Sequence, residues 1–270
     1  MGLCTPRLAL TAAALLLLVG AARAEDAPRD LCANRPGRGS PPCVLDVGRV
    51  QLEASFVDFI HDAQDTSVTD TALYGDLTAR FGLTPTGEIQ LAFSPYVRSR
   101  QSDARGVSTL AGHSDLTLAW RQSLKNPDGS GLSVAVQPFL VAPVGKRGIG
   151  AGAWQGGVAT PVSIPLFGGF ALALTPQLAV VHNSSRPGGH LDATGVFGIS
   201  HALGLFGLGA EFYVDHDADP SGHVTQKTFD ISGSWTPKDA KDTQLDLGLN
   251  AGLDRHAPDF EVYLGIAHRF

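Results

Sequence analysis

The chain has little charge and little sulfur. Of 270 residues only 17% are Asp, Glu, Lys or Arg; methionine occurs once, at position 1, and cysteine three times. So few charges beside 43% hydrophobic residues exclude a disordered chain. Three cysteines exclude a disulfide-built scaffold, and 20 basic against 26 acidic side chains, a net charge of -6, argue against nucleic acid as a partner. Beyond residue 24 no apolar run approaches the ~20 residues a membrane helix requires. Glycine, by contrast, is abundant: 32 residues, well above the usual ~7%, which suits many tight turns and close backbone approaches.

Residues 1–24 read as a secretory signal peptide. Arg7 supplies the positive region, Leu8 to Val19 the apolar stretch, and Ala22-Arg23-Ala24 an A-x-A cleavage site. Export puts Cys32 and Cys43 in an oxidising compartment, where a local disulfide persists. They flank a Pro/Gly-rich stretch, Arg35 to Pro42, with no CxxC spacing and no nearby histidine, so a disulfide is expected rather than a metal or redox pair. The expected division is a periplasmic N-terminal segment over 25–47 and a folded body over 48–270.

From Gly48 the pattern has period two. Val50, Leu52, Ala54, Phe56 and Ile60 alternate with Arg49, Gln51, Glu53 and Ser55, the mark of a strand with one apolar face. The alternation recurs around Leu77, Leu91, Leu118, Val134, Val158, Leu174, Phe197, Ala210, Phe229, Leu249 and Leu264, giving twelve strands. Compact turns such as Pro85-Thr86-Gly87 and Ala202-Leu203-Gly204 alternate with longer, more charged connections such as Arg98 to Ala111. An even number of long strands with short turns on one rim and longer loops on the other predicts an all-β, transmembrane, antiparallel up-and-down barrel with both ends periplasmic. That topology places Phe81, Trp120, Phe170, Phe206, Trp235 and Phe270 near the periplasmic rim on the apolar face. A soluble sandwich or lipocalin-like barrel also alternates, but strands of this length and aromatics at strand ends favour the membrane barrel.

The last strand, Asp259 to Phe270, resembles the assembly signal of outer-membrane proteins, with Gly265 and Phe270 where that signal expects them and His268 departing from it. Arg80-Phe81-Gly82-Leu83-Thr84, Gly112 to Leu118, Gln137-Pro138-Phe139, Trp154-Gln155-Gly156-Gly157, Asp246 to Asn250 and Val262 to Gly265 together resemble the outer-membrane transporter family of the putative meta-pathway phenol degradation type. The resemblance implies location in the outer membrane of a Gram-negative bacterium. It also implies passage of small, often aromatic or apolar, molecules, with phenol one candidate. The implied partners are membrane lipids with lipopolysaccharide and the barrel assembly machinery.

Inward-facing charges are the candidates for selectivity: Arg49, Glu53, Asp76, Arg80, Glu88, Arg98, Asp115, Arg121, Asp192, Glu211, Asp230, Asp246, Glu261 and Arg269. Pairs across adjacent strands brace a narrow barrel, while unpaired ones make a charged constriction; the first role is favoured and the two can coexist. Arg35 and Arg38 offer the acidic lumen a counter-charge, which admits a plug formed by the Cys32 to Cys43 loop, or else a mobile leader. Pro138, Pro161 and Pro176 break ladder bonds and mark where the wall could part. No cofactor and no catalysis are expected, since His182 to Ser185 and His113-Ser114, the local Ser/His candidates, lack a strand-face spacing. Asp62, Asp65, Asp70, Asp215, Asp217 and Asp219 read as solvated loop charge rather than a calcium site.

Overall fold

The computed structural model describes residues 28–270; the signal peptide read in 1–24 lies outside them. The alternation becomes a closed antiparallel wall. It starts with β1 (Val50–Gln64) and continues through three strands that are each broken once. These are β2 (Ser67–Tyr74) with β3 (Leu77–Thr84), β4 (Gly87–Phe93) with β5 (Tyr96–Asp103), and β6 (Gly106–Gly112) with β7 (Leu116–Lys125). β8 (Ser133–Ala142) is unbroken, and β9 (Gln155–Ala159) and β10 (Val162–Pro165) form a fourth broken strand. Six continuous strands complete the circuit: β11 (Phe170–His182), β12 (Gly189–Leu203), β13 (Phe206–Asp217), β14 (Val224–Trp235), β15 (Thr243–Gly252) and β16 (Phe260–Arg269). Counting each broken strand once gives the expected twelve. β16 pairs with β1 from Gln51↔Arg269 to His61↔Phe260, which leaves no open edge in the barrel wall.

One rim, the turn rim, carries short connections such as Pro85-Thr86 and Gly204-Leu205, where Gly204 takes φ +64. The opposite loop rim differs from expectation. Arg98 to Ala111 is not a loop: β5 and β6 form a hairpin that, with β2 and the end of β1, extends the sheet above the barrel. Asp62 and Asp70 are likewise paired strand residues. Both faces of β5 carry polar side chains, Arg98 and Arg100 on one and Ser99 and Gln101 on the other, so period two could not reveal the strand.

Apolar side chains cover the outside of the wall. Leu178, Val180, Leu191, Leu208 and Leu247 are exposed there, and Phe170, Phe206, Trp235 and Phe270 stand exposed at strand ends near the turn rim. This is the arrangement of a wall solvated by lipid. A bulge at Phe56, between the pairs Ser55↔Gly265 and Val57↔Leu264, shifts the parity of β1. Ile60, expected on the apolar face, therefore shares the inner face with Glu261, and His61 turns outward to stack on Phe260 at 5.1 Å. At the prolines the wall stays paired: Ala135 donates to the Pro161 carbonyl and Thr160 to that of Pro176, both at 2.9 Å.

Candidate functional site

The lumen is filled by the N-terminal segment. Cys32 and Cys43 form the expected disulfide. The loop they close lies inside the barrel as a plug rather than beside it, so the plug alternative is the one realised. Its ends are fixed by two arginines that are fully buried. Arg80 donates to the carbonyl oxygens of Cys32 and Cys43, and Arg121 donates to Cys43 O at 3.3 Å and to Asn34 Oδ1 at 2.8 Å.

The same arginines are neutralised by wall carboxylates. Arg80 bridges Glu53 (3.1 Å) and Glu88 (2.9 Å), and Arg121 lies 3.5 Å from Glu88. Glu53 also accepts the backbone N–H groups of Asn34 (2.9 Å) and Arg35 (3.2 Å), and Glu88 accepts that of Leu45 (2.8 Å). Burying such charges is tolerable only when each is paired and hydrogen-bonded; here the pairing partners are wall and plug together.

Across the lumen the plug arginines meet the acidic strands. Arg35 Nη2 is 2.9 Å from Asp246 Oδ1, its guanidinium lies over the Tyr263 ring, and Tyr263 donates to Pro36 O at 2.6 Å. Arg38 pairs with Glu261, lies 3.4 Å from Asp230 and stacks over Tyr213. Glu211 accepts the N–H groups of Arg38 (2.7 Å) and Gly39 (3.3 Å), and Thr175 exchanges hydrogen bonds with the Ser40 backbone. At the turn rim Arg269 binds Asp242 and the carbonyl oxygen of Arg29.

Thus eight of the fourteen selectivity candidates, Glu53, Arg80, Glu88, Arg121, Glu211, Asp230, Asp246 and Glu261, converge on the plug, and Arg269 holds Arg29 at the start of the N-terminal segment. The other five do not. Arg49 stands at the turn rim just before β1, its backbone bonded to Asp46 and Gly82. Asp76 occupies the β2–β3 break and accepts the Ser94 hydroxyl. Asp115 accepts Gly145 N and Ala151 N, both at 2.7 Å, and so holds the loop after β8 instead of lining the pore. Arg98 is exposed on the sheet extension next to buried Val97, because the Ser94-Pro95 break reverses the alternation. Asp192, near the loop rim, accepts Thr194 Oγ1.

Charge alone missed several residues that hold the plug or line the space around it: Asn34, Gln51, Gln90, Gln137, Thr175, Tyr213 and Tyr263. All but Asn34 share the inward parity of the charges, which is the signal that could have found them.

Cavities remain around the plug. One of 320 Å³ lies between residues 33–42 and the turn-rim halves of β10 to β14. Two others, of 240 and 260 Å³, are lined mainly by amides and hydroxyls such as Gln90, Gln137, Thr117, Thr175 and Thr194, with Phe139 and Tyr213 as ring surfaces. A cavity of ~150 Å³ accommodates benzene, so each has room for a single-ring molecule.

The loop rim has its own cluster. His190 is buried, with Nε2 2.6 Å from Asp217 and Nδ1 2.9 Å from Asn183 Oδ1. Asp219 accepts the N–H groups of Ser184 and Ser221, both at 2.7 Å, and these bonds hold its carboxyl well below the usual carboxylate range. Ser184 Oγ lies 2.9 Å from Ser221 Oγ, and the Ser114 hydroxyl donates to Asp115 O, so neither serine is paired with a histidine base. Among the described residues no group of three or more His, Cys, Asp or Glu is arranged to hold a metal ion.

The family described as Putative MetA-pathway of phenol degradation matches residues 33–270. Among solved structures, an outer membrane channel from Pseudomonas putida F1 superposes with a TM-score of 0.66 at 15% identity, over 87% of this chain and 99% of that one. A weaker likeness, TM-score 0.42 at 8% identity over 83% and 88% of the two chains, is to the CymD monoaromatic hydrocarbon channel. No protein with a curated description matches in sequence.

Proposed function

Since the chain belongs to the family described as Putative MetA-pathway of phenol degradation and closes a twelve-stranded barrel around a tethered plug, we propose that it is an outer-membrane channel passing small, neutral, mainly aromatic or apolar molecules. The turn rim then faces the periplasm, and Gly265 and Phe270 serve the barrel assembly machinery as its recognition signal. Lipids and lipopolysaccharide surround the apolar wall. No chemical step is involved.

The observation that carries this reading is the pairing of the buried charges with one another and with the plug. Those charges are committed to structure. The space left over is lined largely by hydroxyls, amides, small residues and a few rings, surfaces that suit a neutral single-ring solute better than an ion or a large sugar.

The test is swelling of liposomes carrying the refolded protein, measured against protein-free liposomes, with a neutral phenol, a monocyclic aromatic acid and a small sugar. The phenol should enter fastest. Equal entry of all three would replace this reading with an unselective pore, and entry of none with a closed structural barrel.

A further inference from the structure

We propose that solutes pass the plug on one side only, between residues 37–40 and strands β11 to β13, and that Glu211 is the specificity-determining residue of that constriction. The proposal rests on the channel reading above.

The turn-rim half of the lumen is built asymmetrically. On β1, β3, β4 and β7 the inward side chains are Gln51, Glu53, Arg80, Glu88 and Arg121, all buried against the plug. On β10 to β14 the inward positions at the same rim carry Ser163, Ala173, Ser200, Gly209, Ser232 and Ser234, and the 320 Å³ cavity is the space these small residues leave. On the loop side of the plug a 260 Å³ chamber, lined by Arg38, Ser40, Thr175, Thr194 and Tyr213, faces it. Ser40 borders both cavities.

Only a thin latch separates the two. Glu211 holds Arg38 N and Gly39 N, and Thr175 holds Ser40. The approach is close enough that a Cβ on Gly37 or Gly39 would sit 2.6 or 3.0 Å from Glu211 Oε1, so glycine is needed for the latch to shut. The 240 Å³ chamber on the β4, β7 and β8 side shares Gln137 and Gln177 with the 260 Å³ chamber and so belongs to the same loop-side space, but it has no latch of this kind towards the turn rim. It ends on Asn34 and Gln90, beneath which Arg80 and Arg121 are wholly buried.

The constriction also has a sign. Glu211 and Asp230 are cross-strand neighbours, Glu261 lies close by, and Arg38 is the cation they share. Asp230 is 3% exposed and both its carboxylate oxygens lack a hydrogen-bond partner. Three carboxylates around one guanidinium favour cations and neutral molecules and repel anions.

The experiment is KCl conductance in planar bilayers. Ser232→Cys, in the 320 Å³ cavity, and Thr117→Cys, in the 240 Å³ side chamber, are each treated with a bulky thiol reagent after folding, which removes the risk that a large substitution prevents assembly. Modification at position 232 should lower conductance about tenfold and modification at 117 far less, as expected when the constriction lies at the first site and only a side space at the second. The untreated protein should prefer K⁺, and Glu211→Gln should reduce that preference. Conductance blocked at 117 and not at 232, or a reversal potential indifferent to Glu211→Gln, overturns the route while leaving the channel intact. No conductance from the unmodified protein overturns both.

Discussion

Arg35 and Asp246 meet at 2.9 Å although 211 positions separate them, and Asp246 is closed off from solvent by the contact. The pair ties the plug to β15, three strands round the wall from the Arg80 anchor on β3. Removing the carboxylate in Asp246→Ala strands a guanidinium inside the lumen and should destabilise the refolded protein by roughly 3–5 kcal/mol, the usual cost of breaking a buried pair. The double variant Arg35→Ala, Asp246→Ala should cost clearly less than the sum of the singles in urea unfolding. Strict additivity would mean the two do not interact.

Cys32→Ser, Cys43→Ser should open the channel more often. The disulfide closes a loop whose two ends are gripped by Arg80 and Arg121. Without it the unfolded chain gains entropy worth about 2–3 kcal/mol in the loop-closure account, and the grip alone must keep the plug seated. Higher single-channel conductance is expected; conductance equal to that of the parent protein would deny the plug its role.

The loop-rim clamp should resist mild acid. Asp219 has its folded-state carboxyl depressed by the N–H groups of Ser184 and Ser221. A depressed group lends stability that is fully present above its unfolded value, about pH 4, and fades only as the pH falls through the lower folded value. Proteolysis within 183–188 and 218–223 should stay slow down to about pH 4, whereas Asp219→Ala should speed it at neutral pH. A clamp that loosens between pH 7 and 5 contradicts this assignment.

Gly265 and Phe270 should separate assembly from plugging. A Cβ on Gly265 would lie 2.5 Å from Arg35 Nη2 and 2.6 Å from Ala54 O, so Gly265→Ala should disturb the seat of the plug and raise conductance in protein that still inserts. Phe270, exposed at the end of the seam, sets its ring edge-on against His268. Phe270→Ala should reduce the amount of barrel recovered from the outer membrane without changing its conductance. Equal effects of both changes on recovery alone would remove the distinction.

The barrel was legible because a lipid-facing wall imposes a strict period on every strand that crosses it. Legibility ended where that constraint ended: β5 carries polar side chains on both faces, and the parity shifts at Phe56 and Ser94-Pro95 come from a bulge and a break that alternation cannot announce. The site was half legible. Charges such as Arg80 and Glu88 betray themselves by sitting inward in an apolar pattern, and the acidic lumen pointed to Arg35 and Arg38. That Arg121 would grip a cysteine carbonyl, and that Asp115 would tie down a loop, depends on contacts between residues far apart in the chain, which no local pattern records.

The join between β1 and β16 sets an order of events. Every other strand pair in the wall links near neighbours, so hairpins can form as the chain arrives; only this seam waits for the final segment. Until then both ends of the growing sheet are adhesive, and a chain lacking its last strand would present them permanently. Premature termination is therefore harsher for this molecule than a point change of equal size: it leaves a ribbon that cannot close and that invites pairing with its own kind.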